Sequence, residues 1–133
     1  MTRKTINPDK LFNSTPYGFS QIAISPPGKH VFISGQVAWD AEQNIIGHND
    51  LAGQTRKALE NIKIAIEAAG GTIENLMMIR IYKVHYEQKD GPVINGVLKE
   101  YFGTDNPPAS TWISVDGLAN KDFLIEIEAQ AIV

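Results

Sequence analysis

The clearest alternation of apolar and polar positions begins after Asn49-Asp50. Leu51, Thr55, Ala58, Leu59, Ile62, Ala65, Ile66 and Ala69 recur at the i, i+4, i+7, i+8 spacing of one buried helical stripe. Arg56, Lys57, Glu60, Asn61, Lys63 and Glu67 take the opposite face. Asn49 or Asp50 can cap the orphan N–H groups at the start, and Gly70-Gly71 offers the left-handed residue that ends the helix. A second, shorter helix fits residues 92–102. Pro92 suits its first turn, and Ile94, Val97, Leu98, Tyr101 and Phe102 form its apolar side.

Period-two patterns surround these helices. Residues 21–25 and 30–36 are short β-branched runs separated by Ser25-Pro26-Pro27-Gly28, which predicts a hairpin. Residues 77–85 and 110–115 also read as strands. In the last strand Phe123, Ile125, Ile127, Ala129, Ala131 and Val133 point one way, while Leu124, Glu126, Glu128, Gln130 and Ile132 point the other. The order is β-β-α-β-α-β-β, with a further strand near Thr5. Two helices suffice to cover one face of one sheet. The other face, partly apolar and partly acidic, needs its own cover, and a second copy of the chain is the economical one. A homo-oligomer is therefore expected.

Composition narrows the class. The chain has 133 residues, 43% apolar and 20% charged, which suits a single domain over residues 1–133. Such a domain buries roughly two-thirds of its unfolded surface. The absence of cysteine excludes disulfides, Cys-ligated zinc and thiol nucleophiles. Twelve Lys+Arg against fifteen Asp+Glu leave a net charge of −3, without a basic block, so nucleic acid is a poor partner. No apolar run approaches the ~20 residues of a membrane span. The start, MTRKTINPDK, lacks the apolar stretch of a signal peptide. A cytoplasmic location, with no membrane association, is the expectation.

Few residues invite chemistry. His30, His48 and His85 sit at turns or element ends without metal-ligand spacing, so no metal site is expected. No GxGxxG or GxxxxGK[ST] occurs, and Ser34 and Ser110 lack a nucleophile elbow. Glu126 and Glu128 lie two apart on a strand, hence on one face and about 6.5–7 Å apart along the chain. That separation suits acid–base work on either side of a substrate, though spacing alone favours a solvated face. Leu124 and Ile132 on the same face favour a partly covered carboxylate whose surroundings tune it. Gly35, inside Ile33-Ser34-Gly35-Gln36, marks either a simple bulge or a close approach of backbone or ligand.

Together these segments resemble the YjgF/RidA reactive intermediate deaminase family, also called the endoribonuclease L-PSP family. The matching stretches are FISGQ (32–36), DLAGQTRKALENIKIAIEAAGG (50–71), IRIYKV (79–84), VINGVLKEYFG (93–103), PPASTWISVDGL (107–118) and LIEIEAQAIV (124–133). The resemblance implies an α+β, chorismate-mutase-like fold: a mixed six-stranded sheet with two helices on one face. It further implies a homotrimer with a central β-barrel and small-molecule clefts between subunits. The implied reaction is hydrolysis of an enamine or imine to a ketone and ammonia, with no cofactor.

Carried over by position, Gly35 matches the glycine of the SGQ strand, Asn95 the asparagine of the second helix, and Glu126 the water-positioning glutamate. The family's P-A-R-S segment reads Pro108-Ala109-Ser110-Thr111, so Ser110 stands where the carboxylate-gripping arginine is expected. Trp112 replaces a cysteine, and Phe19, with Tyr17 competing, stands for a tyrosine. Losing a bidentate arginine removes charge-assisted bonds of ~1.5–3 kcal/mol each. Serine and tryptophan suit a neutral or aromatic ligand better than 2-iminopropanoate, unless Arg80 or Lys83 restores the charge. Two readings follow. One is an imine or enamine hydrolase acting through Glu126, with Tyr17, Phe19, Gly35, Asn95, Ser110, Thr111 and Trp112 around the ligand. The other is a non-catalytic trimer that binds a metabolite in the same clefts. RNA cleavage, attached to the family by name, is disfavoured by the acidic balance.

Overall fold

The computed structural model describes residues 3–133. It contains six strands, β1 (Lys4–Ile6), β2 (Ile22–Ile24), β3 (His30–Gln36), β4 (Leu76–Val84), β5 (Ala109–Val115) and β6 (Ile125–Ile132). Its two α-helices are α1 (Leu51–Ala68) and α2 (Asp90–Phe102). Strands β3, β6, β4 and β5 form a four-stranded sheet in that order. β6 is antiparallel to both its neighbours, whereas β4 and β5 run parallel. The sheet is mixed, and the fold is α+β.

Two expectations need correction. The six strands do not make one sheet: β1 and β2 form a separate antiparallel pair, Lys4 opposite Ile24. Residues 21–25 and 30–36 are accordingly no hairpin. The Pro26-Pro27-Gly28 connection bends at Pro27 and Gly28 without bringing β2 and β3 into register. β3 takes β6 as its partner, and the Lys29 and Val133 backbones exchange hydrogen bonds of 2.7 and 3.0 Å beyond its first residue. The strand expected near Thr5 is β1, the true partner of β2.

The core lies between the sheet and the helices. α1 packs across β6 and β3, and α2 lies against α1. Ala58, Leu59, Ile62 and Ile66 of α1 meet Ile79, Ile81, Ile125, Ile127 and Ala129 of the sheet. Asp50 caps α1 by accepting the Gly53 N–H at 3.1 Å. Gly70, with φ +92°, turns the chain away at the other end. α2 starts two residues before Pro92. Gln54 is a polar residue the apolar stripe conceals: fully buried, it donates to the Asp122 carbonyl at 3.0 Å and accepts the Leu124 N–H at 2.9 Å. It fixes the segment that leads into β6.

Arg3 closes the N-terminal side. Its buried guanidinium donates to the carbonyls of Asn106, Ile73, Glu74 and Leu76 at 2.8–3.2 Å. Burial lowers its pKa to about 10, an effect partly offset by Glu74. Among the described residues no helix is long and apolar enough to cross a membrane. His30, His48 and His85 are all exposed and belong to different parts of the fold.

Candidate functional site

Strand alternation sorts the candidate residues between two faces. On β4 and β5, Ile79 pairs with Ser110 and Ile81 with Trp112, so both β5 residues face the helices. Arg80 pairs with Thr111, which places those two on the outer face. The N-terminal segment joins the helix side because Ser20 bridges to Ala109. Its hydroxyl donates to the Pro107 carbonyl at 2.5 Å, and its N–H donates to the Pro108 carbonyl at 2.9 Å. Ser14, also buried, donates to the Phe19 carbonyl at 2.8 Å. These bonds seat Phe19 and its neighbours at the edge of β5.

The result is a cavity of about 500 Å³ between α2, the β5 edge and the N-terminal segment. Tyr17, Phe19, Asn95, Ser110 and Trp112 all line it, so five of the candidate residues come together. Phe12 stands edge-to-face with Tyr17 and Phe19, at centroid distances of 6.3 and 6.1 Å. Tyr86 meets Trp112 at 6.2 Å and 68°. No charged side chain among the described residues lines this cavity. Trp112 Nε1 donates to Ser110 Oγ at 3.1 Å. Asn95 Oδ1 is buried with no hydrogen-bond partner among the described residues.

Glu126 and Gly35 stand elsewhere on the protomer, lining a cavity of about 770 Å³ with Trp39, Lys57, Asn61 and Phe123. The backbone explains their pairing. Between Ile33 and Gln36 the β3–β6 register slips, so an extra residue is accommodated at Ser34-Gly35. A Cβ on Gly35 would fall on the Glu126 carboxylate, with Glu126 Cδ only 2.7 Å from it. The bulge and the close approach are therefore one feature. Burial, and secondarily the neighbouring Glu128, raise the Glu126 pKa above the ordinary carboxylate value. Glu128 is held by the Tyr82 hydroxyl and lies 3.7 Å from Arg80.

Neither cation offered as a replacement for the arginine enters the aromatic cavity. Arg80 is on the far side of the sheet. Lys83 is on the near side but is tied to the Val84 carbonyl at 2.5 Å and Asp90 at 3.3 Å. It lines a neighbouring cavity of about 410 Å³ that shares Tyr86 and Trp112. Thr111 is exposed and lines neither the aromatic nor the Glu126 cavity. Phe12, Tyr86, Gln88, Gly91 and Pro92 complete the aromatic lining, and sequence reasoning missed them. The available signal was the spacing of Gly91 and Asn95, four apart and so on one face of α2.

A model of the family described as Endoribonuclease L-PSP matches residues 13–133. The chain belongs to that family. It is 39% identical over 104 residues to a RutC family protein of Pyrococcus horikoshii, covering 78% of this chain and 79% of that relative. The crystal structure of YyfB from Yersinia pestis, a protein of unknown function of the conserved Rid family, is similar with a TM-score of 0.95. Its identity to this chain is 34% and both chains are covered completely. E. coli TdcF, a structure with bound serine, is 30% identical with a TM-score of 0.69, over 85% of this chain and 92% of its own. Membership in the L-PSP family carries the mixed sheet backed by two helices, and supports a Rid-type role in general.

Proposed function

We propose that the protein hydrolyses an enamine or imine other than 2-iminopropanoate, in clefts between the subunits of a homotrimer. The observation that carries this reading is the Glu126 carboxylate, partly buried above Gly35 with a raised pKa. A carboxylate so placed takes a proton from water more readily than a free one. The sequence of steps is short. Water adds to the carbon of a protonated imine as Glu126 takes its proton, giving a neutral carbinolamine. Glu126 returns that proton to nitrogen, the C–N bond breaks to release ammonia, and the ammonia takes the hydroxyl proton as the carbonyl forms. Ketone and ammonium are the products, and the electrons balance without an oxidant.

The two halves of the expected site line separate cavities of one protomer, which is the arrangement a shared cleft requires. The outer sheet face supports assembly: Phe32 is 73% exposed there, and Met78, Tyr82 and Ile113 lie on the same face. Three copies closing these faces into a barrel would bury it. A second reading, a trimer that binds a metabolite without turnover, is favoured by the uncharged lining of the aromatic cavity.

The test is ammonia release from freshly generated imines. They include 2-imino acids with small, aliphatic and aromatic side chains, and imines of aromatic aldehydes that carry no carboxylate. We expect turnover of aromatic substrates that Glu126→Gln lowers by about 10²–10⁴-fold. Equal rates in the variant would remove Glu126 from the mechanism. No turnover of any imine would leave the binding trimer.

A further inference from the structure

We propose that the cavity between α2 and β5 takes a flat aromatic ligand whose polar end is an uncharged, amide-like group rather than a free carboxylate. This rests on the reading of that cavity as the ligand site, though not on turnover. The lining rings form two contacting sets, Phe12 with Tyr17 and Phe19, and Tyr86 with Trp112. Rings lining a cavity recognise an aromatic partner by stacking and edge contacts. Their faces carry the negative part of the ring quadrupole, and no lining side chain is cationic. An anion would shed its hydration there and find no counter-charge from this protomer's lining.

The polar groups specify the rest. Trp112 spends its ring N–H on Ser110 Oγ, and the Ser110 hydroxyl keeps its own hydrogen to donate. Asn95 Oδ1 is a buried acceptor without a partner. A buried acceptor left empty is unfavourable, so a ligand N–H placed there gains more than one placed in water. Ser110 and Asn95 both line this cavity, and one donor beside one unpartnered acceptor matches a carboxamide or lactam edge: its carbonyl accepts from Ser110, and its N–H donates to Asn95. A carboxylate brings acceptors alone, and an ester lacks the N–H.

The test compares phenylacetamide, methyl phenylacetate and phenylacetate by calorimetric or ligand-detected NMR titration of the full chain at neutral pH. The expected order is amide tightest, ester about tenfold weaker and carboxylate weakest. Asn95→Leu should bring amide and ester together. Ser110→Arg should make phenylacetate the tightest. Carboxylate binding as tight as the amide, or no binding of any probe at millimolar concentration, overturns the proposal. An unchanged amide preference in Asn95→Leu does the same. The wild-type order stands without either variant, should one fail to fold. Glu126→Gln should keep the probe order. No turnover of any imine by the parent protein, with the probe order intact, would sink the hydrolase reading alone.

Discussion

Glu126 is poised at the margin of burial, and its raised pKa has consequences for both rate and stability. A carboxyl whose folded value exceeds its unfolded one resists ionisation in the native state. It therefore removes stability as pH climbs from the ordinary carboxylate range through the raised value, and the full loss persists above it. Glu126→Gln should melt higher than the parent at pH 7 while losing activity, and the gain should vanish at about pH 4 or below. Paired thermal melts at the two pH values check this, and a gain at both would assign the effect to something other than ionisation. Gly35 acts on the same carboxylate. Gly35→Ala forces the Glu126 head aside, so turnover should fall by about 10²-fold while circular dichroism stays native. Of these two residues the sequence exposed the first by strand parity, and the second only as an oddly placed glycine. Their contact needed the β3 bulge, which depends on a register set by β6.

Gln54 shows what an element's pattern hides. Its position interrupts the apolar stripe of α1, yet it is fully buried because both ends of its amide are met by the backbone before β6. Gln54→Leu would leave the Asp122 carbonyl and the Leu124 N–H without their partner, at a cost of about 1–3 kcal/mol each. Urea denaturation should report a lower midpoint with an unchanged slope. α1 itself was legible down to its cap, because helical periodicity and capping are local. The pairing of β2 was not. A three-residue strand carries too little alternation to choose a partner, and β1, far from it in the chain, supplied the better edge.

At the scale of the whole molecule, the apolar outer face is the feature without an account inside one protomer. Phe32 lies on that face and lines none of the aromatic, Glu126 or Lys83 cavities. If the proposed trimer with shared clefts forms, Phe32→Glu should lower the oligomeric state in analytical ultracentrifugation and abolish turnover together. A variant that became monomeric yet hydrolysed imines at the parent rate would confine the site to one chain.

The sequence by itself determined the two helices, the parity of β6, and the acidic and apolar character of its outer face. Each rests on spacing or identity within a few residues. Only the tertiary structure decided that Tyr17, Phe19, Asn95, Ser110 and Trp112 share one cavity while Gly35 and Glu126 share another. It also decided that Lys83 is already engaged and that Asn95 Oδ1 is buried without a hydrogen-bond partner among the described residues. Those facts depend on contacts between segments up to a hundred residues apart, such as Ser20 against Pro107 or Arg3 against Asn106. Local pattern specifies which face a side chain takes. What it meets there is set by which strands pair and where the helices dock.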